Sequence, residues 1–213
     1  MAIIKIDIFF HFRQLDMAIS LYQKTYPGGK SDTFAIFWRP FYLNYGPSTH
    51  SVDKQKVADQ RLDDMSAEQR EKLYKRMNQI GRSAGINFKG GGKIGDTQLA
   101  HKLARLGSTL EPRTENFIIE GIFQAHHELE KDITDKQVLL EISVNAGVSA
   151  EAVDEYLDSD EEAEHVDQEA KENKEYLPGS GVPTFEIQGE RLDGQPDAED
   201  FMAAFIKARE EAH

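Results

Sequence analysis

Apolar residues alternate with Lys5 and Asp7 from Ile3 to Phe9, and the stretch is rich in β-branched and aromatic side chains, so it predicts a strand central to a sheet. Phe12, Leu15, Ile19 and Tyr22 then recur at helical spacing until Pro27-Gly28-Gly29 stops the pattern. Only Phe10 and His11 separate strand from helix, and neither they nor their neighbours offer a Ser, Thr, Asp or Asn to cap it. A connection of this kind ordinarily takes about 2 to 6 residues. A segment is therefore missing at this junction relative to an ordinary strand-to-helix unit. A second strand is predicted over 33–41, closed by Arg39-Pro40, and completes a βαβ unit.

From Asp53 the period turns helical for about ninety residues. One helix is predicted over 54–80, with Val57, Leu62, Met65, Leu73, Met77 and Ile80 at its apolar positions. Lys89-Gly90-Gly91-Gly92-Lys93 is expected as a flexible loop. Asp96 or Thr97 caps a helix through Leu106, Pro112 opens one reaching Leu129, and Asp135 caps one ending at Gly147. Further helices cover 149–157 and 159–176, the latter opened by the capping-box pair Ser159 and Glu162. After Gly179-Ser180-Gly181, residues 183–188 and 190–192 pair as strands, and Pro196 at a first helical position opens a closing helix over 197–210.

This order predicts an α/β fold: a mixed sheet with helices on both faces and an all-helical insertion lobe. The core is assigned to 1–45 and 179–213, the lobe to 53–147, and 149–177 to acidic helices joining the two.

Charge narrows the function classes. Thirty-eight acidic residues against 25 basic ones give a net −13, the wrong sign for holding a phosphate backbone, so no nucleic-acid partner is expected. Residues 151–175 hold 12 acidic side chains and two lysines, which reads as a solvated helix face, with docking of a basic partner as the alternative. The absence of an apolar run of membrane-spanning length, and of a secretory signal, points to a cytoplasmic protein with no membrane partner. The cysteine count is zero, so this chain carries no disulfide, no thiolate metal site and no thiol nucleophile.

Gly181-Val182-Pro183-Thr184-Phe185 resembles the cis-proline signature of thioredoxin folds. Trp38-Arg39-Pro40-Phe41, Gly95-Asp96-Thr97 followed by Ala100-His101-Lys102-Leu103, Asp132-Ile133, and Asp193-Gly194-Gln195-Pro196 resemble, in that order, the DsbA-like branch and its cytosolic FrnE-like members. The resemblance spans nearly the whole chain. It implies a thioredoxin-like fold with a large all-α insertion and an oxidoreductase ancestry. In that family the first strand leads into a Cys-Pro-Trp-Cys loop. Here Ile6-Asp7-Ile8-Phe9 resembles that strand and Arg13-Gln14-Leu15-Asp16 the helix beyond the loop, so the loop is deleted rather than substituted.

Without a thiolate the family's thiol–disulfide exchange is excluded for this chain. Three readings remain: a redox-inactive derivative that binds or processes a small molecule; a glutathione-dependent, kappa-like transferase or isomerase, which activates the thiol of glutathione instead of its own; and a truncated or mis-spliced form of a CxxC oxidoreductase. His11 and Arg13 are the polar groups nearest the first helix start and the weak catalytic candidates. Val182, Pro183, Thr184, Trp38, Phe41 and His101 are the substrate-binding candidates. Glutathione is the one cofactor the resemblance brings into view, and no metal is expected: His126 and Glu130 at i, i+4 lack a third ligand. The expected partner is a small molecule or peptide in a cleft between core and lobe, and the resemblance is also compatible with a homodimer.

Overall fold

Ile4, Ile6 and Ile8 are buried while the residues between them face outward, so one strand, β1 (Ile3–Ile8), contributes a single apolar face to the core. The computed structural model from which this follows describes residues 2–8, 14–43, 50–83, 85–177, 182–194 and 196–211. The junction at 9–13, with His11 and Arg13, and the 178–181 loop lie outside the described residues.

Helix α1 (Gln14–Thr25) and a short 3-10 turn (Gly29–Ser31) lead to β2 (Thr33–Trp38), parallel to β1 with Ile3 opposite Thr33 and Ile8 opposite Trp38. On its other side β1 pairs antiparallel with β5 (Thr184–Ile187), which pairs in turn with β6 (Glu190–Asp193). The strand order β2-β1-β5-β6 makes β1 central, as its apolar pattern predicts. The β5–β6 hairpin turns at Gln188 and Gly189, with φ of 51° and 86°, the positive values that a two-residue turn needs to match strand twist. Helix α9 (Ala198–Glu211) closes the chain. Leu15, Ala18 and Tyr22 of α1 and Phe201, Ala204, Phe205 and Ala208 of α9 pack with Ile4, Ile6, Ile8, Phe185 and Ile187 into one core. This compact unit comprises Met1–Phe41 and Glu169–His213.

The second unit, Tyr42–Gln168, contains β3 (Val52–Asp53), α2 (Lys54–Arg61), α3 (Ala67–Ser83), β4 (Lys93–Ile94), α4 (Gln98–Ser108), α5 (Pro112–His127), α6 (Lys136–Asn145) and α7 (Ala150–Asp158). Helix α8 (Asp160–Tyr176) starts in this unit and ends in the first. The core of the second unit is built from Leu103, Ile118, Ile122, Leu139, Ile142, Val153 and Leu157, among others. Lys102, 2% exposed, donates from Nζ to the carbonyl oxygens of Leu157 and Ser159, both at 2.6 Å, and so caps the end of α7. Among the described residues no helix is long and apolar enough to cross a membrane.

Several boundaries differ from expectation for identifiable reasons. The helix predicted over 54–80 is two helices, because Ser66 and Gln69 form a reciprocal capping box, Ser66 N–H to Gln69 Oε1 at 2.7 Å and Gln69 N–H to Ser66 Oγ at 3.3 Å. The second strand ends at Trp38 rather than Phe41. The helix from Pro112 ends at His127, not Leu129. Pro196 does not open the last helix: Asp197 does, its carboxylate accepting from the N–H groups of Glu199 and Asp200. The glycine-rich stretch is not a loose loop. Lys93 and Ile94 pair with Asp53 and Val52, Lys54 N–H donates to the Gly92 carbonyl, and Gly91 N–H to the Glu130 carboxylate at 2.9 Å. A Cβ on Gly92, whose φ is +85°, would stand 2.6 Å from the Glu130 carbonyl oxygen, so the glycine permits a close backbone approach.

Candidate functional site

Strand β1 ends at Ile8 between Trp38 of β2 and Phe185 of β5, so the carboxyl end of the central strand lies beside the residues that lead into β5. In open α/β sheets ligands are met at such carboxyl ends. The Val182–Pro183 peptide bond is cis, and both residues are half-buried. The Pro183 carbonyl accepts from Gly194 N–H at 3.0 Å, and the fully buried Thr184 hydroxyl donates to Asp193 Oδ1 at 3.0 Å. The side chain of Thr184 thus serves the β5–β6 pair. Among the described residues no group bonds to the backbone N–H or C=O of Val182.

The outward face at this end carries charge. Asp7 stands directly opposite Glu186 in the β1–β5 register, a like-charge pair that destabilises a sheet when left alone. Two neighbours compensate it. Arg39, whose own N–H extends the β1 pairing to the Ile8 carbonyl at 2.8 Å, donates from Nε to Asp7 Oδ1 at 2.7 Å and from Nη1 to Glu169 Oε1 at 3.2 Å. Burial alone would lower the Arg39 pKa, but the hydrogen bonds and charges of Asp7 and Glu169 outweigh it and hold the guanidinium above its usual value. Tyr176 donates to Glu186 Oε2 at 2.7 Å, which raises the phenol's pKa. Arg39 also stands over the Phe37 ring, 5.5 Å from its centroid.

The candidates from sequence fall in different places. Val182, Pro183, Thr184 and Trp38 gather at the carboxyl end of β1. Trp38 packs against the core of its unit, and Phe41 is half-buried beyond β2. His101 belongs to the second unit. Its Nδ1 lies 2.8 Å from the Thr97 carbonyl oxygen, and its ring meets Tyr42 edge-on, centroids 5.1 Å apart. Tyr42 in turn donates to Asp167 Oδ1 at 2.7 Å, and Gln98 Nε2 donates to Asp167 Oδ2 at 2.9 Å. His126 and Glu130 do not converge: α5 stops at His127, and Glu130, at φ 56°, turns its carboxylate to Gly91. Among the described residues no group of three or more His, Asp or Glu side chains is placed to hold a metal ion. Sequence reasoning missed the Asp7–Arg39–Glu169 bridge. Asp7 was visible as a charge inside an apolar strand, but Arg39 reads there only as a strand stop, and Glu169 is one of twelve carboxylates in an acidic run.

A family model described as a DSBA-like thioredoxin domain matches residues 9–206. No curated protein sequence matches the chain. Among solved structures, a protein titled a probable DsbA oxidoreductase from Streptomyces coelicolor superposes with a TM-score of 0.81 at 19% identity, over 98% of this chain and 91% of that one. A 2-hydroxychromene-2-carboxylate isomerase gives 0.62 at 16% identity, over 98% and 95%. The cytosolic disulfide reductase DsbM from Pseudomonas aeruginosa, with GSH, gives 0.54 at 13% identity, over 97% and 99%.

Proposed function

Since this chain belongs to the DSBA-like thioredoxin domain family, we propose that it is a redox-inactive, FrnE-like member that binds a small molecule at the carboxyl end of β1. Family descent carries the fold, and the composition removes the chemistry. Thiol–disulfide exchange needs a thiolate to attack and a thiol to resolve, and the 213 residues contain no cysteine. A methionine thioether neither ionises nor exchanges. What survives is the binding edge.

The observation that carries this reading is the backbone of Val182. It leads into β5, whose Phe185 pairs with the last residue of the central strand, and it has no partner among the described residues, while its neighbours Pro183 and Thr184 are tied to β6. An extended ligand with its own amide groups can pair with that N–H and C=O in the manner of an added strand. Toward the same end of the sheet, the paired Arg39 and Asp7 carry charges of both signs for a zwitterionic ligand to meet.

A second reading is favoured by two of the structures that share the fold, an isomerase and a reductase with GSH. In it the ligand is glutathione and the reaction a glutathione-dependent transfer or isomerisation. The tripeptide has amide groups of its own to pair with Val182, and it would bring the thiol that this chain lacks.

Titration of the 15N-labelled protein with glutathione and with S-methylglutathione tests both. Saturable shifts of the Val182 and Thr184 amides with either compound support the binding edge. Dependence on the free thiol, together with turnover of an electrophilic acceptor, supports the transferase reading. Absence of shifts at Val182 with these and with a panel of short extended peptides overturns the proposal.

A further inference from the structure

Strands β2 and β6 are the two edges of the four-stranded sheet, and their sequences treat the edge differently. β6 is four residues long, with charge at Glu190, Arg191 and Asp193. Short length and charge are the usual means by which an edge avoids recruiting another strand. β2 is six residues long, Thr-Phe-Ala-Ile-Phe-Trp, and holds neither a charge nor a proline.

The hydrogen bonds fix which groups this edge leaves open. Thr33 N–H donates to the Ala2 carbonyl at 3.0 Å and Arg39 N–H to the Ile8 carbonyl at 2.8 Å, so the odd-numbered residues turn their backbone groups to β1. By the two-residue alternation of a strand, Phe34 and Ile36 turn theirs outward. Among the described residues, Phe34, Ala35, Ile36 and Phe37 make no hydrogen bond beyond the β1 pairing. The side chains of Phe34 and Ile36 pack against the core of their unit. Ala35 and Phe37 lie on the opposite face of the sheet, where Phe37 is 40% exposed.

An antiparallel copy of the same strand fits these groups. With a two-fold axis at Ala35, Phe34 of each copy stands opposite Ile36 of the other, and each such pair exchanges both of its N–H···O=C bonds. An aromatic residue opposite a β-branched one is a favourable cross-strand pair. Ala35 meets Ala35 at the closely spaced position without hydrogen bonds, about 4.5 Å between Cα atoms, where a small side chain suits the approach. Thr33 faces Phe37, so the register opposes no charged residues.

We propose that β2 is a self-association edge, through which two copies of the chain join β2 to β2 across a two-fold axis at Ala35 into one continuous sheet. The occupant is a second copy because each chain carries one bare edge and one edge blunted by charge. Pairing then consumes the bare edges and closes at two copies. A strand of this length on each side puts the contact at the small end of specific interfaces, so the dimer is reversible.

Hydrogen exchange on the unaltered chain gives the first test. Between about 20 µM and about 1 mM protein, the Phe34 and Ile36 amides are expected to slow about three- to tenfold, while the Ala35 and Phe37 amides, already bonded to β1, change little. Sedimentation velocity over the same range is expected to show monomer passing to dimer. Ala35→Cys places two thiols at the axis, within the about 4.4–6.8 Å between Cα atoms that a disulfide spans, and the chain has no other cysteine. Under mild oxidation A35C is expected to form a covalent dimer much faster than Glu199→Cys, at an exposed position of α9. Ala35→Lys and Ala35→Glu each bring like charges together at the axis and are expected to weaken association about three- to tenfold, whereas an equal mixture of the two pairs again. An unchanged thermal melt shows that each variant folds. A chain that stays monomeric up to about 1 mM, or A35C coupling no faster than the control, overturns the proposal. So does a dimer whose Phe34 and Ile36 amides exchange at the monomer's rate, or a mixture that pairs no better than either charge variant alone.

Discussion

Arg209 of α9 forms an ion pair with Asp32, whose carboxylate is fully buried just before β2. The same carboxylate accepts from the Ala2 N–H at 2.7 Å and from the Tyr22 hydroxyl at 3.1 Å, so one residue fastens β1, α1 and α9. Burial would raise the carboxyl's pKa, but those two hydrogen bonds and the Arg209 charge hold it below its usual value. Asp32→Asn leaves a buried guanidinium without its counter-charge, and a loss of about 3–5 kcal/mol is expected in urea unfolding. Because the folded pKa is the lower one, the contribution is complete above the unfolded carboxyl's pKa, about 4, and disappears as pH falls through the folded value. The Asp32→Asn variant should therefore lose less stability than the parent on acidification below about pH 4.

Lys102 makes a comparable test in the second unit. Its ammonium is held between the Leu157 and Ser159 carbonyl oxygens at the end of α7. Burial lowers its pKa, an effect partly offset by the charges of Asp160, Glu162 and Asp158. Lys102→Met keeps the aliphatic stem but strips both carbonyls of their donor. The expected cost is about 2–3 kcal/mol. Hydrogen exchange should show the loss in α4 and α7 first, with the β1–β5 amides less affected.

Most elements of the fold were legible because local signals agreed with tertiary need. Ile4, Ile6 and Ile8 alternate cleanly, Asp135 caps α6 through the Gln137 N–H, and Gly189 marks the hairpin turn. The errors have the same origin in reverse. The Ser66–Gln69 capping box was present in the sequence, but the recurrence of apolar residues from Val57 to Ile80, read as one helix, hid it. The role of the triple glycine depends on Glu130, about 40 residues away, and no local rule reports that. At the candidate site Val182, Pro183 and Trp38 were singled out through a resemblance. The Arg39 bridge was not, because its partners lie 32 and 130 residues away.

His126 carries the clearest pH dependence. Its ring nitrogen Nδ1 is buried with no hydrogen-bond partner among the described residues, and Lys54 Nζ sits 2.8 Å from its carbonyl oxygen. Burial, then the Lys54 charge, push the imidazole pKa down to about 4, against a smaller opposing pull from Asp132. The unfolded chain, at about 6.5, binds the proton first. Stability is thus complete above about pH 6.5 and is lost as pH falls toward 4, by about 2–3 kcal/mol. In His126→Gln the urea midpoint should change much less between pH 7 and 5 than in the parent. An NMR titration of the parent should show the His126 ring still neutral at pH 5.5, and a midpoint near 6.5 would refute the assignment.

The bridge at the candidate site predicts a coupling rather than a large loss. Arg39 offsets the repulsion between Asp7 and Glu186 across β1 and β5, but its side chain is 38% exposed, so solvent screens the pair. Arg39→Gln is expected to cost about 0.5–1 kcal/mol at low salt and less at 0.5 M NaCl. Asp7→Asn removes both the partner and the like-charge contact, so the double variant should be more stable than the sum of the single changes implies. If the binding edge at Val182 is used, Arg39→Gln should also weaken an anionic ligand more than a neutral one of the same length. Equal weakening of both would mean that Arg39 only braces the strands and does not meet the ligand.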